Sequence, residues 1–302
     1  MTSQSSSTYT GAVVVGLDGS GHSERALEWA AVEAGRQHRR LVLLHSAAIL
    51  PARQAVGLSP MGGGVDPHLI VQAVHDAAQA FLNDRVLYAR DRWPDLDVAG
   101  ALTQLDPREA LVEAAMSAHL VVLGSRGRGP VTSMLGSVSV WTSKRAACPV
   151  VICRPVGATA ERRGVLVGVD GTAANAPAVE MAFQLASERD GDLTVLHCVY
   201  EVGGVSRDLD LWEDEAQRLV SESVAGLREK YPDVNAKLRV AVGLVDDTLA
   251  NASSHYELLV LGRPAPHQTH LFHFSTTTAV LERSTTTVVV VPNPVETPGG
   301  PL

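Results

Sequence analysis

The chain repeats itself, and that limits its folds more than any other feature. Ala12–Ser20 reads AVVVGLDGS and Val165–Thr172 reads VLVGVDGT, so Asp18 has a counterpart 152 residues on, in Asp170. LVLLHS at Leu41–Ser46 answers LTVLHC at Leu193–Cys198 with the same offset, which pairs His45 with His197. Farther along, the offset falls to 138: LVVLG ending at Gly124 matches LLVLG ending at Gly262, Pro94 matches Pro232, and Ser137 matches Ser275. The second copy is therefore 14 residues shorter, and the extra length of the first lies between His45 and Pro94. It falls around Pro51 to Pro67, with Met61-Gly62-Gly63-Gly64 inside, a composition that reads as a long loop. A unit of roughly 150 residues is a duplicated domain, not a solenoid repeat. The boundary falls in the Pro/Gly/charged stretch Arg154–Gly164, which gives one domain at 10–155 and another at 164–293.

Within the first copy, short apolar runs alternate with helical patterns. Val13–Gly16, Leu41–Leu44, Val98–Leu102, Leu120–Leu123 and Val150–Cys153 are near-continuous Val/Leu runs, the pattern of strands covered on both faces. Aromatic residues make up only 4% of the chain, so Val, Leu and Ala must fill the core, which suits helices packed on a parallel sheet. Asp66-Pro67 opens one helix, with apolar pairs at 69/70, 73/74, 77/78 and 81/82 as its buried stripe. Asp106-Pro107-Arg108-Glu109 opens another as a capping box, with Leu111, Ala114, Ala115 and Ala118 facing inward. The alternation predicts an α/β fold of two tandem open parallel sheets joined by right-handed crossovers.

Charge and cysteine content exclude several functions. Lys+Arg 25 against Asp+Glu 33 leaves a net charge of −8, which argues against nucleic acid or an anionic membrane surface as a partner. Cys148, Cys153 and Cys198 form no CxxC pair and read as reduced thiols of a cytoplasmic chain. The Ser/Thr-rich stretch Met1–Thr10 lacks the basic and apolar regions of a signal peptide, and no apolar run reaches the roughly 20 residues of a membrane span.

In open α/β sheets, ligands bind where the strand order reverses. With order 3-2-1-4-5, the reversal lies between the first and fourth strands, and these end in the two most unusual loops. One is Gly16-Leu17-Asp18-Gly19-Ser20; the other is Gly124-Ser125-Arg126-Gly127-Arg128-Gly129, followed by Gly136-Ser137-Val138-Ser139 at a helix start. Glycines let backbone N–H groups approach phosphate, Ser137 is placed to cap the helix, and Arg126 and Arg128 carry countercharge. The same glycines also suit a tight turn, and Asp18 fits either a turn former or an acceptor for ribose and base donors. His45 and His197 end buried strands with no metal-spaced partner and read as structural. His267, His270 and His273 sit in a Thr/Pro-interrupted loop without supporting ligands, so no metal site is expected. No P-loop, GxSxG elbow or HExxH is present.

These residues resemble the universal stress protein family in its tandem two-domain form. VVVGLDGS with SERALEWA, LVVLGSRGRG, LGSVS and CPVVICRP carry the resemblance over almost the whole chain. It implies an adenine nucleotide alpha hydrolase-like sheet of five parallel strands in order 3-2-1-4-5. It also implies ATP, with or without magnesium, held through a G-2x-G-9x-G-S/T pattern, and dimerisation through the last strand. Carried over, Gly16 and Asp18 line the adenosine pocket, and Ser46 and Ala47 touch adenine. Gly124, Ser125, Arg126, Gly127, Arg128, Gly136, Ser137, Val138 and Ser139 hold ribose and phosphates. The loop departs from the pattern, with eight residues in place of nine between Gly127 and Gly136. The second copy has Ala265 and Phe274 where glycines belong, and reads as a half that keeps the fold and has lost the nucleotide loop. The resemblance implies a nucleotide-dependent regulatory or stress-response factor with at most weak ATP hydrolysis. A nucleotide-free interaction module or a slow ATPase is the alternative. The two halves are expected to pair as an intramolecular pseudo-dimer, with a homodimer as a further option.

Overall fold

The computed structural model describes residues 5–48, 67–127, 135–155, 163–199, 226–263 and 276–293, with single positions at 218, 221 and 224. Its contacts group into two units, Met1–Pro130 and Val131–Leu302. In the first, a short α1 (Ser5–Tyr9) leads into β1 (Val13–Leu17), α2 (Gly21–Arg36) and β2 (Leu41–Ser46). Then follow α3 (Pro67–Arg92), β3 (Val98–Thr103), α4 (Pro107–Ala115) and β4 (Leu120–Gly124). The strands lie in the order β3-β2-β1-β4. All pairs are parallel, with Val13 opposite both Leu41 and Leu120, and Leu41 opposite Val98. Val13–Val15, Leu41–Leu43 and Leu120–Val122 are all fully buried, as strands covered on both faces must be.

The helices begin where local chemistry starts them. Ser20 caps α2, its Oγ accepting from the Ser23 N–H at 3.2 Å. Ala26, Ala30, Ala31 and Ala34 on its buried face let it lie close to the sheet. Asp106 caps α4 by accepting from the Arg108 N–H at 2.9 Å, with Pro107 in the first turn. Leu111, Ala114, Ala115 and Ala118 are buried, as their spacing predicts.

Helix α3 corrects the sequence reading. Its early pairs are not buried: Leu69 is 64% exposed, and Ile70 and Val74 are exposed too, while Ala78, Leu82 and Ala89 form the inward face. A helix of 26 residues is about 39 Å long, whereas a strand of six spans about 20 Å, so the first turns overrun the sheet. Asp66 and the loop before it lie outside the described residues.

The second unit holds α5 (Ser137–Arg145), β5 (Val150–Cys153), β6 (Val165–Val169), α6 (Ala176–Ser187) and β7 (Leu193–Val199). It continues with β8 (Ala236–Val242), α7 (Val245–Ser253), β9 (Leu258–Gly262), α8 (Thr276–Arg283) and β10 (Thr287–Val291). Its sheet runs β5-β10-β9-β6-β7-β8. The five strands of the second repeat are parallel and follow the order 3-2-1-4-5. β5, the last strand of the first repeat, pairs antiparallel with β10, placing Val150, Val151 and Ile152 opposite Val290, Val289 and Val288.

Two devices recur in both repeats. The His45 Nδ1 lies 2.7 Å from the Leu17 carbonyl, and the His197 Nδ1 lies 3.0 Å from that of Val169. A carbonyl only accepts, so both rings carry the proton on Nδ1 and tie the end of one strand to its neighbour. The second device sits at the outer strands. Asp97 and Asn235 turn their carbonyls inward to Leu41 and Leu193, so the next carbonyls, of Val98 and Ala236, face outward. Arg90 donates to Val98 O at 2.7 Å and Arg228 to Ala236 O at 3.0 Å. Cys148, Cys153 and Cys198 are free thiols, and burial pushes the Cys198 thiol up to about 11.

Because β5 and β10 zip the two repeats together through fully buried valines, cutting the chain between Arg154 and Gly164 is expected to leave both fragments associated. Native gel filtration after limited proteolysis checks this, and free separation of the fragments contradicts it.

Candidate functional site

The first unit brings two loops to one place. The chain leaves β1 toward β2 on one side and returns through β3 to β4 on the other, so β1 and β4 lie side by side and parallel. The segments following them emerge together. In the first, Gly19 has φ +74°, a conformation that favours glycine, and Asp18 accepts from the Ser20 N–H at 2.9 Å. In the second, a β-carbon added at Gly127 would lie 2.9 Å from the Asp18 Oδ2. The Asp18 carboxylate therefore faces a backbone that carries no side chain.

Gly124 and Ser125 fix the seat of this loop on α2. A β-carbon at Gly124 would meet the His22 carbonyl carbon at 2.6 Å and its oxygen at 2.7 Å, a backbone-to-backbone approach. Ser125 is fully buried, with its Oγ 3.3 Å from the His22 Nδ1. Gly16 lies beneath α4: a β-carbon there would meet Leu123 at 2.7 Å and Leu111 at 3.3 Å. Gly168 in the second repeat is hemmed in the same way by Leu249 and Leu261. Ser46 and Ala47 end β2, whose neighbour is β1. The Ser46 hydroxyl donates to Leu105 O at 2.6 Å, and the buried Ala47 donates its N–H to Thr103 O at 2.8 Å. Arg126 is half-buried and Gly127 exposed, while Arg128 lies outside the described residues.

In the second unit, α5 begins one residue earlier than the sequence suggested. Gly136, with φ −62° and ψ 135°, takes the cap position, and Ser137 is the first helical residue, so Ser137 is not the cap. The extended conformation of Gly136 ends the loop before Ser137 can occupy that place. Gly136 has no side chain to satisfy the first-turn N–H groups, and no acidic residue stands in that turn. Val138 is half-buried and Ser139 buried.

The second repeat keeps the turn and closes it. Gly171 has φ +80°, matching Gly19. Asp170 Oδ1 accepts from the Thr172 N–H at 2.8 Å, the Thr172 hydroxyl at 2.7 Å and the Asn175 amide. A β-carbon at Gly262 would meet the Asn175 side chain at 3.1 Å, where at Gly124 the obstacle is backbone. Pro264, Ala265, Pro266 and Phe274 lie outside the described residues, as do His267, His270 and His273.

Two contributors escaped the sequence reading. His22 abuts both Gly124 and Ser125, but its counterpart at the 152-residue offset is Ala174, so the repeat gave no signal for it. Arg263 occupies the position of Ser125 at the 138-residue offset, and nothing in the repeat pattern marks it. Among the described residues no group of three or more His, Cys, Asp or Glu is placed to hold a metal ion. No described helix is long and apolar enough to cross a membrane.

An open parallel sheet that reverses its strand order beside paired glycine loops places the chain among the doubly wound α/β proteins. Within that class it belongs to the universal stress protein family, whose model matches residues 10–154 and again 161–292. A universal stress protein of Mycobacterium tuberculosis is 32% identical over 264 residues, covering 83% of this chain and 86% of its own length. One from Mycolicibacterium smegmatis is 30% identical over 286 residues, covering 92% and 96%. Among solved structures, a universal stress protein from Archaeoglobus fulgidus superposes with a TM-score of 0.66 at 19% identity, covering 96% of this chain and 99% of that one.

The glycine contacts separate fold from site. Gly124→Ala drives a β-carbon into the His22 backbone and is expected to cost about 1–3 kcal/mol in denaturant unfolding. Gly127→Ala displaces only the end of the Asp18 side chain and is expected to change stability by less than about 0.5 kcal/mol.

Proposed function

We propose that the first repeat, 10–155, binds ATP and that the chain serves as a nucleotide-dependent regulatory factor of the stress response in the cytoplasm. The observation that carries this reading is the opposition of Asp18 to Gly127 at the strand-order reversal. A carboxylate there accepts hydrogen bonds from the hydroxyl and amine donors of a nucleoside. Gly127, with no side chain, lets a phosphate chain approach the backbone beside it, and Arg126 supplies countercharge. In the family pattern the same loop continues to Gly136 and Ser137. By that pattern Ser137, Val138 and Ser139 at the start of α5 are assigned to the phosphates. Ser46 and Ala47, at the end of β2, are assigned to the adenine side, and Gly16 to the floor of the adenosine pocket. Magnesium accompanies the phosphates in solution, and no residue is assigned to it.

The second repeat, 164–293, is proposed to bind no nucleotide. Asp170 Oδ1 already accepts from three donors of its own loop. This favours a structural or interaction role for that half.

Calorimetric titration of the full chain with ATP is expected to give one site per chain. Gly127→Val is expected to weaken binding by more than about tenfold while circular dichroism stays unchanged. Two equivalent sites, or an affinity indifferent to Gly127→Val, overturn the assignment. Conversion of ATP to ADP on incubation would make the chain a slow ATPase, and absence of binding would leave the interaction module.

A further inference from the structure

The segment Ser125-Arg126-Gly127 leaves β4 and belongs to no helix or strand, and Gly127 has no side chain with which to pack. Its distance from Asp18 nevertheless defines the site, since a β-carbon at Gly127 would lie 2.9 Å from Asp18 Oδ2. A spacing that close has to be held by contacts on both sides of it.

Those contacts form a closed circuit inside the first unit. Asp18 accepts from the Ser20 N–H at 2.9 Å, and Ser20 accepts from the Ser23 N–H at 3.2 Å to cap α2. The Ser23 hydroxyl returns a bond to the Ser20 carbonyl at 2.9 Å, so the Asp18 turn and the first turn of α2 are one piece. His22 lies in that turn, half-buried, with its Nδ1 3.3 Å from Ser125 Oγ. Ser125 follows Gly124, which rests on the His22 backbone, and it is fully buried, so its hydroxyl points into the protein. Two residues on, Gly127 comes back to Asp18 and the circuit is complete. The His22–Ser125 contact is its closing link. Without that contact Asp18 stays tied to α2, while the loop loses a tie to the same helix. The second repeat lacks both partners, with Ala174 and Arg263 in their places. A 3-10 turn, Ala173–Asn175, stands where α2 begins in the first repeat, and Asn175 gives its amide to Asp170. The pair is therefore present where the carboxylate faces a neighbouring loop and missing where it is bonded by its own turn.

We infer that His22 is a positioning residue for the nucleotide site, acting through Ser125 to hold the loop after β4 at its spacing from Asp18. Ser125, which the family pattern assigns to ribose and phosphate, then serves through the backbone it anchors and not by touching the ligand. The backbone it anchors carries Arg126 and Gly127, so the effect falls on the phosphate side of the ligand. The inference rests on the reading that the first repeat binds ATP.

The test uses the full chain with His22→Leu, His22→Asn, Ser125→Ala and the double variant His22→Leu/Ser125→Ala. Glu24→Gln is the control, since Glu24 stands in the same turn of α2 and pairs with Arg85 of α3. Two readouts are taken: the calorimetric Kd for ATP, and hydrogen exchange of the amides of 125–127 without nucleotide. His22→Leu and Ser125→Ala are each expected to weaken ATP about fivefold, and the double variant no more than either, because both remove one shared contact. His22→Asn keeps a hydrogen-bonding atom on Cγ, where the ring carries Nδ1, and is expected to stay within about twofold of the parent. Exchange at 125–127 is expected to speed up in the Leu and Ala variants and not in His22→Asn or the control. ATP affinity unchanged in His22→Leu overturns the inference. So do losses that add in the double variant, which would put Ser125 on the nucleotide itself, and a loss in His22→Asn equal to that in His22→Leu. Failure of all three single variants at these two positions to fold overturns it too, by making the pair a requirement of the fold. If the parent chain binds no ATP, the site reading fails and the inference falls with it; if the parent binds and the variants bind alike, the inference alone falls.

Discussion

The parallel pairing of β1 with β4 is the constraint on which the rest depends. It sets Val13 opposite Leu120 and, three residues on, delivers two chain segments from neighbouring strand ends into the same space. Everything distinctive about the first repeat follows from how that space is kept clear. Gly124 lets β4 run against the backbone of α2, Gly127 leaves room beside the Asp18 carboxylate, and Gly16 lets α4 settle on the sheet. Each of these positions is short of room for a different reason: backbone, carboxylate or leucine side chains.

Most of the scaffold could be read from the residues because burial on both faces writes strands as plain Val/Leu runs. Val13–Val15 and Leu120–Val122 have no amphipathic ambiguity to resolve, and Asp106-Pro107 announces its helix by chemistry that acts within three residues. The failures came where an element's surroundings decide. The apolar pairs at the start of α3 look like a buried stripe, but the helix outlasts its strand and no described residue covers those turns. Ser137 looks like a cap, but the dihedral angles of Gly136 place the start of α5 one residue earlier than Ser137 could cap it. The site was legible as a loop pattern. The contact of His22 with Gly124 and Ser125 was not, since it joins residues about a hundred positions apart and has no echo in the second repeat.

The two repeats show how one scaffold accepts two fates. The β-strand registers, the histidine-to-carbonyl ties and the glycine under α4 and α7 are shared. The differences gather at the strand ends after β1 and β4 against those after β6 and β9. In the second repeat Asp170 Oδ1 accepts from Thr172 and Asn175, and Arg263 turns away to the other repeat's helix. Such changes leave the core untouched because they occupy groups that the sheet does not need.

The arginines on the outer strands have a consequence for life in a crowded cell. A sheet edge is a template: a stray extended peptide can add to its outward N–H and C=O groups, and stacking of that kind leads to aggregation. In β3 and β8 the first outward carbonyl already receives a guanidinium, from Arg90 and Arg228. A newcomer strand would have to evict a charged group from a made hydrogen bond before its first rung could form. On β8, Lys237 and Arg239 extend the same deterrent along the exposed positions of the strand. In each repeat the third strand, β3 or β8, thus meets the solvent already guarded against fibrous growth.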